Sequence, residues 1–138
     1  MLELKFYKLL MISSFDLCSY EEIVLLSKEK DAINVKEDAF VLFWGIQKAV
    51  AKKGKTFYKL GRLEFFFFKS VLTRISMSFM ESDQNNSYTK VCRFLSDEQL
   101  LFEEDFRYRK LGQKGVLADN LLFIFDAKGL LREVHFFV

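Results

Sequence analysis

The chain has 138 residues, 51% of them hydrophobic and 29% charged, which suits one compact domain or two small units sharing a core and excludes a disordered tail. No apolar run approaches the roughly 20 residues that a membrane-spanning helix requires. Against 21 basic residues stand 19 acidic ones, and a net charge of +2 supplies no strong general attraction to nucleic acid.

The N-terminal stretch places Lys5 and Lys8 ahead of Leu9-Leu10-Met11-Ile12, with Cys18 following. A lipoprotein signal has that outline, but Phe15-Asp16-Leu17 stand where signal peptidase needs small uncharged residues, and Glu3 interrupts the basic start. The segment is therefore read as a first strand or short helix of the domain. Ser19 with Glu22 three residues on forms a capping box, and Tyr20, Ile23, Val24 and Leu26 recur at helical spacing. Asp38 is the expected cap of a second helix. Phe40, Phe43, Trp44 and Val50 would share one face of it, and Lys48, Lys52, Lys53 and Gly54 would close it. A hairpin is expected over 63–79, a linker at Ser82 to Asn86, a helix from Tyr88 to Leu95, an extra strand near Phe106 to Leu111 and a terminal hairpin over 121–137.

The two hairpins look alike. Aligned without a gap, Leu63/Leu121, Phe65/Phe123, Phe67/Phe125, Leu72/Leu130, Arg74/Arg132 and Phe79/Phe137 are identical. Each is an aromatic strand, a four-residue connection and a return strand, and Asp126-Ala127-Lys128-Gly129 has the residues of a tight turn. Upstream, Ser19-Tyr20 matches Ser87-Tyr88, and Lys59-Leu60-Gly61 recurs as Lys110-Leu111-Gly112. The expected fold is α+β, a tandem repeat of two related helix-plus-antiparallel-hairpin units, 1–82 and 83–138, with helices on one face of the sheet.

Period-two alternation sets Thr73, Ile75, Met77 and Phe79 against Arg74, Ser76 and Ser78. The partner strand buries Leu63, Phe65 and Phe67 and leaves Glu64, Phe66 and Phe68 outside. The last hairpin mixes Leu122, Ile124, Leu131 and Phe137 with Asp126, Glu133 and His135. A face that interleaves aromatics with charge is either covered by another layer or used for binding. The candidate partner-binding residues are Glu64, Phe66, Phe68, Arg74, Glu133 and His135.

Chemistry is harder to find. His135 is the single histidine, and no serine or cysteine is placed to work with its neighbour Glu133. Cys18 and Cys92 are too few for a disulfide framework and lack ligand spacing, so two reduced thiols in a cytoplasmic protein are expected, with no metal or cofactor. The run Lys48, Lys52, Lys53, Lys55, Lys59 and Arg62, with Phe57 and Tyr58 inside it, is of a kind that grips phosphate backbones. It is more often a solvated helix end, so a nucleic-acid partner is not the favoured one.

A helix pair followed by an antiparallel sheet, given twice, resembles the β-lactamase-inhibitor-protein architecture. The stretch Leu121-Leu122-Phe123-Ile124-Phe125-Asp126-Ala127-Lys128-Gly129-Leu130-Leu131-Arg132-Glu133-Val134 is similar to the last hairpin of the SmpA/OmlA small lipoproteins. Tyr58-Lys59-Leu60-Gly61-Arg62-Leu63-Glu64-Phe65 resembles small bacterial immunity-type proteins. These resemblances imply a non-enzymatic protein that binds another protein, as an immunity or inhibitor protein does, through the open face of its sheet. A homodimer using that face on itself, an envelope lipoprotein and a nucleic-acid binder using Lys52, Lys53 and Lys55 are the alternatives.

Overall fold

The computed structural model describes residues 18–29, 35–80 and 86–138. The expected N-terminal element and residues 82–85 of the expected linker lie outside them. The described elements are α1 (Tyr20–Ser27), α2 (Glu37–Trp44), β1 (Lys55–Leu60), β2 (Leu63–Phe68), β3 (Val71–Ser78), α3 (Tyr88–Asp97), β4 (Glu103–Asp105), a 3-10 helix (Phe106–Leu111), β5 (Lys114–Ala118), β6 (Leu121–Phe125) and β7 (Leu131–Phe137). The class is α+β, with the strands in a seven-stranded antiparallel sheet ordered β1-β2-β3-β7-β6-β5-β4. The chain divides into a first unit ending at Ser76, to which Phe137–Val138 return, and a second unit, Met77–Phe136.

In the first unit α1 forms as its capping box dictates. The Ser19 hydroxyl accepts the Glu22 N–H at 3.3 Å, and Tyr20, Ile23, Val24 and Leu26 are buried. The second helix departs from expectation. Its N-cap is Lys36, with no side-chain cap, and it stops at Trp44 because Gly45 takes the left-handed conformation at φ 63°. Phe40 is buried, but Phe43 and Val50 are 51% and 90% exposed, so the single face drawn through them does not exist. The segment expected to complete that helix instead leads into β1, through a two-residue turn at Lys53 and Gly54, φ 54° and 75°. Phe40 supplies the core, its ring centroid 5.6, 4.9 and 5.1 Å from those of Tyr58, Phe65 and Phe67.

The connection between β2 and β3 is two residues rather than four. Lys69 and Ser70 both have positive φ, 48° and 67°, the type I′ geometry whose twist matches that of antiparallel strands. Neither residue advertises it, which is why the longer turn was expected. Along β3 the alternation breaks at two places. Leu72 and Ile75 are buried, while Thr73 is exposed and Arg74 half-buried between them, so Thr73 does not join Ile75 and Met77 inside. Ser76, expected outward with Arg74 and Ser78, is buried between Ile75 and Met77.

In the second unit α3 is capped by Ser87, whose hydroxyl accepts the Lys90 N–H at 3.2 Å, and it buries Val91 and Leu95. Residues 106–111, expected as a strand, form the 3-10 helix. Asp105 caps it by accepting the Arg107 N–H at 3.2 Å, and Gly112 ends it at φ 68°. The turn after β6 is built as the sequence implies. Asp126 Oδ1 accepts the N–H groups of Lys128 and Leu130, and Gly129 has φ 78°. The register of β6 and β7 slips so that Ile124 faces Glu133 and Phe125 faces Leu131, passing over Arg132.

Both units fasten a helix to a hairpin by the same backbone bonds. In the first, the Glu37 N–H donates to Ser70 O at 2.9 Å and the Leu72 N–H to Val35 O at 3.0 Å. In the second, Tyr88 donates to Gly129 O at 2.8 Å and Leu131 to Asn86 O at 2.8 Å. These contacts fall on α2 and α3, whereas the sequence pairing set Ser19 of α1 over Ser87. They also pair Leu72 with Leu131, one residue off the gapless alignment.

Candidate interaction surface

The outward face of β1, β2 and β3 is organised by register. Leu60 lies opposite Leu63 across a turn at Gly61, which sets Phe57 against Phe66, Lys59 against Glu64 and Lys55 against Phe68. The alternate set, Thr56, Tyr58, Leu63, Phe65 and Phe67, points inward. Phe57 and Phe66 stack with centroids 5.8 Å apart and planes 21° apart, a cross-strand pair of the kind that stabilises a sheet by up to ~1 kcal/mol. Because β3 turns both Thr73 and Arg74 outward, the Arg74 guanidinium lies 3.9 Å from the Phe66 centroid. Lys69 sits 5.4 Å over the Phe68 ring. Phe57, Phe68 and Phe137 are 58%, 42% and 43% exposed.

A shallow groove of about 400 Å³ crosses this face, lined by Lys55, Phe66, Phe68, Thr73, Arg74 and Phe137 among others. Arg74 Nε is shielded from solvent and without a hydrogen-bond acceptor among the described residues. A guanidinium over one ring face is of a kind that also meets carbonyls and carboxylates at protein interfaces.

Of the six expected site residues, Glu64, Phe66, Phe68 and Arg74 share this face of the first unit, and Phe66 and Arg74 touch. Glu133 and His135 belong to the second unit, where His135 Nε2 and Glu133 Oε1 are 3.2 Å apart. There they line up with Ile124 and Leu122 across the β6–β7 ladder. Both of those residues are buried, as is the whole of β6. The face expected to be open in this unit carries a cover. Gly115 pairs with Ile124, and a Cβ on Gly115 would meet the Tyr108 ring at 2.5 Å, so the 3-10 helix lies against that face. The α-helix packs on the other, with Tyr88 edge-on to Phe125 at 5.3 Å.

Phe57, Lys69, Thr73 and Phe137 were not singled out from sequence as site residues. Phe57 was accessible, since a two-residue turn at Gly61-Arg62 already sets it against Phe66. Thr73 depended on the first break in β3, and no residue type signals that. Burial pushes the Cys18 and Cys92 thiols up, which leaves neither as a ready nucleophile near neutral pH. Among the described residues no group of three or more His, Cys, Asp or Glu is placed to hold a metal ion, and no helix is long and apolar enough to cross a membrane.

Compared with known proteins, the chain matches no family model, no curated protein and no solved structure.

Proposed function

We propose that the chain is a small non-enzymatic protein-binding module, an immunity or inhibitor protein in kind, acting through the outward face of β1–β3. One observation carries this reading: Phe57, Phe66 and Phe68 form an aromatic row, with Arg74 and Lys69 lying over two of its rings. Aromatics and arginine are the residues enriched at the centres of protein interfaces, and a stiff sheet presents them without ordering cost on binding. The partner it suits offers an acceptor for Arg74 beside an apolar patch for the rings. Two free thiols, Cys18 and Cys92, accord with a reducing, cytoplasmic setting.

The test uses the intact protein as bait beside a Phe66→Ser, Phe68→Ser variant whose fold is checked by circular dichroism. Expected is a stoichiometric partner lost with the variant and restored from purified components, weakened more than about 100-fold in calorimetry. Binding unchanged by the double substitution in a folded variant overturns the assignment. Self-association detected by light scattering and abolished by the same variant would turn the reading into a homodimer.

A further inference from the structure

The aromatic row is a stack whose broad ring faces are already used. The Phe57 and Phe66 rings lie 21° from parallel with centroids 5.8 Å apart. Phe57 comes from β1 and Arg74 from β3, the strands on either side of β2. The guanidinium 3.9 Å from the Phe66 centroid therefore covers the other face of that ring. Lys69 lies over Phe68 in the same manner, 5.4 Å from its centroid. What Phe66 has left for an incoming group is its rim of C–H bonds, the positive edge of the ring quadrupole. A nucleobase needs an open ring face to stack on, and Phe66 has none.

The charge on this surface has the same sign as the ring edges. Register sets Lys55 opposite Phe68 and Lys59 opposite Glu64 on the outward side of β1 and β2. The turn into β1 adjoins Lys69, since a Cβ on Gly54 would lie 3.5 Å from Lys69 and 3.7 Å from Phe68. Of the basic residues over 55–78, Arg62 donates to Cys18 O at 3.3 Å, while Lys55, Lys59, Lys69 and Arg74 share the ring surface. Glu64 is the one side-chain carboxylate of that stretch, and Lys59 stands across from it. Among the described residues Lys55, Lys69 and Arg74 form no ion pair. The groove is lined from β1 by Lys55, from β2 by Phe66 and Phe68, and from β3 by Arg74, so cations flank an apolar floor.

We propose that the partner of this face is an acidic protein segment in which carboxylates flank an apolar side chain. The carboxylates meet Lys55, Lys69 and Arg74, and the apolar side chain lies in the groove against Phe66 and Phe68. This rests on the reading of the face as a protein interface and adds the sign of the partner's charge.

The full chain is titrated, by fluorescence polarisation, into a short labelled peptide in which glutamates flank a leucine and a phenylalanine. Twins with glutamine or lysine in place of the glutamates, and a labelled oligothymidylate, serve beside it. Expected is binding of the acidic peptide about tenfold tighter than its glutamine twin, weakened by added salt, with none of the lysine twin or the oligothymidylate. Lys55→Gln with Lys69→Gln weakens it about fivefold. Glu64→Gln strengthens it about twofold, a gain that a damaged fold does not give. Lys90→Gln, exposed on α3, removes the same charge elsewhere and leaves binding unchanged. Equal binding of the acidic and glutamine peptides, lost with Phe66→Ser, Phe68→Ser, overturns the acidic assignment and leaves the rings as an interface. Acidic-peptide binding that this folded ring variant retains overturns both readings. Absence of acidic-peptide binding, or preference for the lysine twin, overturns the acidic assignment. Oligothymidylate binding lost with the ring variant reassigns the face to single-stranded nucleic acid.

Discussion

At the scale of single residues, two positions tie packing to measurable stability. Gly115 has no room for a side chain, since a Cβ there would lie 2.5 Å from Tyr108 Cδ2. Gly115→Ala is expected to cost ~1–3 kcal/mol by displacing the ring, read as a lowered denaturation midpoint. A paired Tyr108→Ala variant should relieve part of that loss. Tyr58 donates its hydroxyl proton to the carboxylate of Glu37, which is 3% exposed, and accepts the Ala49 N–H. Tyr58→Phe leaves a buried carboxylate short of a donor, so a loss of about 1–3 kcal/mol is expected in chemical denaturation. These pairings were not legible beforehand, because each joins residues from separate elements and no local pattern announces it. By contrast, the outward placement of Glu64, Phe66 and Phe68 followed from period two alone.

At the scale of elements, local chemistry was readable wherever side chain and backbone agreed. Ser19 and Ser87 each cap a helix through the N–H three residues on, and Asp126 with Gly129 makes the last turn. Reading failed where one residue overruled a pattern. Gly45 ends α2 well before the lysines that looked like its terminus, and Asp105 turns a β-prone stretch into a 3-10 helix by binding the Arg107 N–H and guanidinium. The short α2 earns its place through Phe40, which meets three rings and has no solvent exposure. Phe40→Ala is expected to cost ~3–5 kcal/mol. Phe43→Ala on the same helix should change the melting midpoint little, because that ring is half outside. The comparison of the two melts checks the assignment of the helix face.

At the scale of the whole molecule, pH dependence has a definite sign. Burial raises the Cys18, Tyr20, Tyr58, Tyr88 and Cys92 groups above their ordinary values, 9.0 for a thiol and 10.0 for a phenol. The folded chain then keeps protons that the unfolded chain releases, so this part of the stability is complete below those values and lost as pH rises past them. Glu104 and Asp105 are lowered by their hydrogen bonds to Arg109 and Arg107, so their contribution is present near neutrality and lost as pH falls below about 4. Thermal midpoints should therefore hold steady from about pH 5 to about pH 9 and drop on either side.

The backbone clasps have a consequence for what the sequence can tolerate. Proline is ordinarily welcome at the first position of a helix, where the N–H has no intrahelical partner to lose. At Glu37 and Tyr88 that N–H is spent on the hairpin turn, on Ser70 O and Gly129 O. Proline there would preserve the helix and release it from the hairpin. These are two sites, in a chain without any proline, where its exclusion has a structural cause.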